Sequence, residues 1–221
     1  MFVSFTGEEA GLRGAREFAR RMKDSMRVVG ALNNDMMGWS NDQRMDNTIR
    51  FSNPGIRDVQ HAAAMQFSGL ITYDAFYYKS TDANALFDVW GDIIGGIGSY
   101  PILGNPHYHM THDVLETINH QQLAETSRTT VATIMLLASS PSRLTGLDAT
   151  GTAATWKPAV EKGAMRYLVR WGPAADPMKF SQTATSARAT LTGAQAGWRV
   201  SVKAVNARGL EGWNWASATV R

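Results

Sequence analysis

Phe2-Val3-Ser4-Phe5-Thr6-Gly7-Glu8-Glu9-Ala10-Gly11-Leu12-Arg13-Gly14-Ala15 decides how the rest of the chain is read. The apolar run Phe2 to Phe5 reads as a buried strand with two adjacent carboxylates at its C-terminal end. Side by side in such a place, carboxylates desolvate and repel each other, so the pair points to a metal or an acid/base site. Gly11 to Gly14 read as a turn into a helix, with Ala15, Phe18, Ala19, Met22 and Met26 at helical spacing on one face. Val28-Val29-Gly30-Ala31-Leu32 then reads as the next buried strand. Strand, helix, strand in that order predicts a parallel pair joined by a crossover helix, in an α/β sheet. Sites in such sheets gather at the strands' carboxyl ends, where Glu8, Glu9 and Asp35 all fall.

Imidazoles come later, in His107-Tyr108-His109-Met110-Thr111-His112-Asp113. The chain has no cysteine, which excludes disulfides and thiolate metal sites and leaves histidine and carboxylate as donors. No apolar run approaches the ~20 residues of a membrane span, and MFVSFTGEE lacks the regions of a signal peptide.

Between these motifs, Asn53-Pro54 opens a helix with Ile56, Val59, Ala63 and Phe67 inward, and His61 reads as a surface residue of that helix. The stretch GDIIGGIGSYPILG reads as strand and loop and not as a phosphate-binding loop, because no strand-to-helix context accompanies its glycines. Asn119 and Gln122 resemble a capping box before a long helix with Leu123, Ser127, Val131, Ile134 and Leu137 or Ala138 inward. That helix runs out at Ser139-Ser140-Pro141, which sets a domain boundary and predicts domains over 1–140 and 141–221.

Beyond the boundary, alternating strands are expected at Ala153–Trp156, Arg166–Trp171, Ala187–Leu191 and Trp198–Asn206, with glycine turns between them. Spacing of this kind predicts a small all-β sandwich. Thr155-Trp156-Lys157-Pro158, Tyr167-Leu168-Val169-Arg170-Trp171 and Trp198-Arg199-Val200-Ser201-Val202-Lys203-Ala204-Val205-Asn206 resemble a fibronectin type III domain, with Trp198 where that family has its corner tyrosine. The two parts differ in charge. Up to Pro141 there are 11 basic and 15 acidic residues, and after it 11 and 4, so the net charges are about −4 and +7. The basic part could contact an anionic polymer or surface. Its cations are scattered along the sequence, so no nucleic acid is expected as a partner.

Taken together, Phe5-Thr6-Gly7-Glu8-Glu9-Ala10-Gly11-Leu12-Arg13-Gly14-Ala15, Asn34-Asp35-Met36 and His109-Met110-Thr111-His112-Asp113 resemble the co-catalytic zinc exopeptidases, which include bacterial aminopeptidases, glutamate carboxypeptidase and glutaminyl cyclase. The likeness spans residues 2 to 138. It implies two zinc ions, a peptide substrate, Glu8 as general base, and Glu9, Asp35 and His109 as metal ligands, with Asp113 orienting the site from behind. One carboxylate binds the metal while its neighbour stays free to take the proton. More loosely, the segment Tyr77-Tyr78-Lys79-Ser80-Thr81-Asp82 and Phe87 match a part that shapes the family's substrate pocket through Asp82 and Phe87.

The family's remaining two ligands, a histidine and a bridging aspartate, lie on strands ahead of the glutamate pair, and this sequence offers seven residues there. The expectation is therefore an N-terminally truncated exopeptidase with an incomplete metal site, from a lineage that is often secreted or periplasmic. Two alternatives stay open: a binding or adaptor protein on a remnant peptidase scaffold, and a glutaminyl cyclase-like acyltransferase.

Overall fold

In the computed structural model, residues 1–41, 44–76, 78–159 and 163–221 are described, and the chain divides into two units, Met1–Met135 and Leu136–Arg221. Among the described residues no helix is long and apolar enough to cross a membrane.

The first unit is built on a mixed sheet flanked by helices. Its strands are β1 (Ala31–Leu32), β2 (Asp46–Phe51), β3 (Ile71–Ala75) and β4 (Ile94–Ser99), in the spatial order β1-β4-β2-β3. β1 runs parallel to β4 and β3 parallel to β2, while β2 and β4 are antiparallel. The two central strands are buried along their whole length. Glycine makes this sheet possible: a Cβ on Gly96 would stand 1.9 Å from the Asn33 carbonyl oxygen, and one on Gly95 2.2 Å from Ile56 Cγ2. Only bare backbone lets β4 lie so close to the strand beside it and the helix above it.

Four helices accompany the sheet: α1 (Arg13–Met22), α2 (Pro54–Phe67), α3 (Ala83–Trp90) and α4 (His120–Ser139). α1 buries Ala15 and Ala19 as its periodicity predicts. α2 starts where Asn53-Pro54 places it, with the Asn53 side chain accepting from the Gly55 N–H at 2.8 Å.

Several expectations are corrected. Phe2 to Phe5 form no strand; Met1, Phe2 and Val3 are exposed, and Phe5 packs edge-on against Phe18, 5.5 Å between ring centres. A strand exists only through a hydrogen-bonded neighbour, and among the described residues no strand is paired with Phe2 to Phe5. The crossover unit read from residues 2 to 32 is therefore absent, and of Val28–Leu32 only Ala31–Leu32 is strand. On α2, Ile56 and Ala63 are buried as expected, but Phe67 is exposed, and Gln60 is buried beside them, exchanging hydrogen bonds with the backbone of Gly96.

The inner face of α4 is rotated from the predicted one. It buries Gln122, Glu125, Thr126, Thr129 and Thr133 and leaves Val131 exposed. Thr129 and Thr133 have carbonyls four residues back in the same helix within donating distance, at 3.0 and 2.7 Å, and the Thr129 hydroxyl also meets the Ser68 hydroxyl at 2.8 Å. The capping box forms by half: Asn119 accepts from the Gln122 N–H, while the Gln122 side chain turns inward to Asp46 O and Asn47 Oδ1, both at 2.8 Å.

The second unit is a seven-stranded antiparallel sandwich. One sheet has the order β11-β10-β7-β8 and the other β5-β6-β9. The strands are β5 (Asp148–Thr150), β6 (Ala153–Thr155), β7 (Ala164–Gly172), β8 (Phe180–Ala184), β9 (Arg188–Thr190), β10 (Arg199–Asn206) and β11 (Ala216–Thr219). The alternation in β7 and β10 sends Val169, Trp171, Val200, Val202 and Ala204 into one core with Trp156 and Leu191. Trp198 stacks on Phe180 at 5.8 Å, so it serves as packing surface at the position of the corner tyrosine. β5, β8 and β11 were not foreseen, being short or rich in serine, threonine and alanine.

Replacing Gly96 by alanine tests the close approach of β1 and β4. The expected loss is about 3 kcal/mol of unfolding free energy, the upper end for an overpacked interior, read as a lowered urea midpoint with unchanged slope.

Candidate functional site

The glutamate pair lies on a hydrogen-bonded loop ahead of α1. The Glu8 carbonyl accepts from the N–H groups of Gly11 and Leu12, and the Gly7 and Thr6 carbonyls accept from Arg13 and Gly14. Gly14 is required there, since a Cβ would meet the Thr6 carbonyl oxygen at 2.6 Å. Leu12 takes a left-handed conformation to turn the chain into the helix.

That loop brings Glu9 to His109, a hundred residues away. His109 Nε2 and Glu9 Oε1 are 2.5 Å apart, with the side chains 52% and 73% exposed. At such exposure an ion pair contributes about 0–1 kcal/mol, so the fold gains little from this contact. His109 itself has φ 57°, in the left-handed region, and Tyr108 stacks on its ring at 3.8 Å. A strained backbone presenting an exposed donor is the pattern of a site more than of a scaffold. His107 and His112 pack edge to face with each other at 5.1 Å, away from this pairing.

Asp35 stands at the end of the β1 run, where its N–H donates to the Ile97 carbonyl at 3.1 Å. Its carboxylate faces Arg50 of β2, Nη1 to Oδ2 3.6 Å. Arg50 is buried, with Nη2 3.6 Å from Met36 Sδ, and its guanidinium lies where a Cβ on Gly98 would be. The sequence reading missed this residue. The signal was there: a lone arginine inside Asp46–Phe51, a strand buried at every position.

Asp82 stands at the start of α3 without a side-chain capping bond, and its Oδ1 is buried without a hydrogen-bond partner. Burial, then the Asp35 charge, raises its pKa above the usual aspartate value. Glu8 is raised too, by burial first and then by the charges of Glu9, Asp35 and Asp82, with His109 opposing. These shifts show Glu8, Glu9, Asp35, Asp82 and His109 sharing one electrostatic neighbourhood. Phe87 packs on Tyr78 at 4.8 Å, and Tyr77 lies outside the described residues. Asp113 is exposed, and among the described residues no hydrogen bond joins it to His109.

Whether these residues fit a zinc centre depends on the donor set. Glu9 and His109 offer one oxygen and one nitrogen at a common point, and Asp35 stands apart on Arg50. Catalytic zinc takes three protein ligands and a water. Among the described residues no group of three histidine or carboxylate side chains could hold a metal ion. The 221 residues therefore do not by themselves fit the family's metal.

Residues 1–134 match the sequence profile of peptidase family M28, and the chain belongs to that family. In fold it is similar to two crystal structures of the LapA aminopeptidase of Legionella pneumophila, each at 17% identity, with TM-scores of 0.52 and 0.53 over 59% of this chain. The matches span only 38% and 37% of the LapA chains. An Fn3-like protein from Clostridium thermocellum matches 37% of this chain and 93% of its own at 32% identity, with a TM-score of 0.31. No curated protein matches the sequence.

The pKa direction at Asp82 gives a test. A carboxyl whose folded pKa is raised above 3.8 favours the fold when protonated, and this contribution is lost as pH rises through the folded value. Asp82→Asn should therefore raise the thermal midpoint at pH 7.5, by no more than a few degrees, and lose that advantage at pH 3.5. Scanning calorimetry at the two pH values checks it.

Proposed function

We propose that this chain carries part of the active centre of a metallo-exopeptidase of the aminopeptidase kind, acting on the N-terminal residue of a peptide. The observation that carries the reading is the Glu9–His109 contact, which joins two exposed donors a hundred residues apart beside a second glutamate with a raised pKa.

In this reading Glu9 and His109 hold one ion and Asp35 a second, with the missing donors supplied from outside these 221 residues. Metal ions held there would supply Lewis-acid activation of a water and of the scissile carbonyl. Glu8 takes a proton and returns it to the leaving amine, and its raised pKa brings it closer to working pH than an ordinary glutamate. Asp82 and Phe87 border the pocket for the substrate's first residue. Arg50 balances the Asp35 charge, so the acidic cluster persists before any cation arrives.

The shortage of donors supports one rival, a non-catalytic binding protein on the same scaffold. Cobalt titration separates the two. In the exopeptidase reading, the 221-residue chain binds cobalt weakly at one site, seen as visible d–d absorption, and Glu9→Gln or His109→Ala removes it. No binding, or binding indifferent to both variants, favours the adaptor.

The second test uses a chain extended upstream by a histidine- and aspartate-bearing segment of the family pattern. Zinc-dependent release of p-nitroaniline from aminoacyl anilides is expected, falling about 10³-fold in Glu8→Gln with KM little changed, as loss of a general base and nucleophile activator requires. An extended chain that binds zinc and hydrolyses nothing would overturn the proposal.

A further inference from the structure

The outer face of the β11-β10-β7-β8 sheet carries a line of cations that the sequence does not reveal. The core takes Tyr167, Val169 and Trp171 of β7 and Val200, Val202 and Ala204 of β10, so Arg166, Leu168 and Arg170, with Arg199, Ser201 and Lys203, stand on the opposite face. In the register, Ser201 is opposite Arg170, Lys203 opposite Leu168 and Val205 opposite Arg166. Arg166, Lys203, Arg170 and Arg199 are therefore successive diagonal neighbours across the two central strands, about 7–8 Å per step. The zigzag extends roughly 20 Å along the strands at about 3.3 Å per residue.

Like charges gathered on one sheet face repel one another over about a Debye length unless something balances them. Among the described strand residues of this face no carboxylate does so. The counter-charge present is Glu211, which follows β10 and pairs with Lys203. Arg166, Arg170 and Arg199 are exposed. Trp215 lies between two of the cations, with Lys203 Nζ 4.4 Å and Arg170 Cζ 5.7 Å from its ring centre, which holds both side chains in place. Hydroxyls border the line on both outer strands: exposed Ser181 and Thr183 on β8, and Ser217 and Thr219 on β11.

We propose that this face binds a linear acidic polysaccharide, a sugar polymer bearing carboxylate or sulfate groups. A row of fixed cations suits a linear polyanion, and flanking hydroxyls suit the polymer's own hydroxyl groups. Single-stranded nucleic acid would want open rings for its bases to stack on, and the ring that lies among these cations, Trp215, already carries Lys203 and Arg170. A membrane surface would want a continuous apolar face to insert, and here Leu168 and Trp215 stand among Arg166, Arg170, Arg199 and Lys203. The proposal stands on the second unit's geometry and is independent of the peptidase reading.

The test is affinity electrophoresis of the 221-residue chain through polygalacturonate, heparin and neutral dextran. Retardation is expected with both acidic polymers, not with dextran, and it should weaken steeply with salt. Arg166→Ser/Arg199→Ser, which spares the contacts to Trp215, should weaken binding at least tenfold, and Arg170→Ser/Arg199→Ser likewise. Lys157→Ser/Arg188→Ser removes the same charge outside this face and should change it less than twofold. Near-UV circular dichroism verifies that each variant is folded. Absence of retardation, equal loss in the Lys157/Arg188 variant, or tighter binding to duplex DNA or to phosphatidylglycerol vesicles would each overturn the proposal.

Discussion

The first unit depends on the bare backbone of β4. Gly95, Gly96 and Gly98 occupy three of its six positions, and each is filled by something a side chain would displace: Ile56 and Gln60 of α2, the Asn33 carbonyl, and the Arg50 guanidinium. The space left at Gly96 lets the chain after β1 track along β4 as far as the Asp35 N–H. The space left at Gly98 admits the cation that faces the Asp35 carboxylate. Position and charge balance of that acid thus rest on absent methyl groups.

Around it the unit concentrates negative charge. Burial and the neighbouring carboxylates raise the proton affinity of Glu8 and Asp82, while Asp35 faces Arg50 and Glu9 faces His109, an arrangement that costs stability where nothing is bound. Such an arrangement is the pattern of a functional site, and it lies within the residues that match peptidase family M28. The second unit has the opposite design. Its core is aliphatic and aromatic, its alternation is regular, and four of its cations line the outer face of one sheet.

Much of this was legible in the residues. Asn53-Pro54 marked the start of α2, and the alternation of Tyr167 to Trp171 and Val200 to Ala204 marked the sandwich. What failed did so for identifiable reasons. Phe2 to Phe5 have a strand's composition, but pairing is a property of neighbours and not of the segment. On α4, reading apolar as buried turned the helix the wrong way, because threonine can satisfy its hydroxyl on its own helix and then pack as a small apolar residue. Grouping Glu8, Glu9, Asp35 and His109 from sequence depended on a motif pattern. Arg50 lay beyond it because the pattern has no place for a cation there. The zigzag on β7 and β10 was hidden for a related reason, since 33 residues separate Arg166 from Arg199 and only strand register brings them together.

The short first strand has a consequence for motion. β1 is two residues long, and among the described residues its sheet neighbour is β4, reached through the amides of Ala31, Asn33 and Asp35. β2, by contrast, is held on both sides and buried throughout. Local opening follows the fewest contacts, so amide protons at 31–35 exchange with solvent through partial detachment while those of β2 await global unfolding. The piece that peels away first carries Asp35. On warming, the acidic cluster therefore loses its arrangement before the sheet melts, and the fold outlasts the geometry it supports.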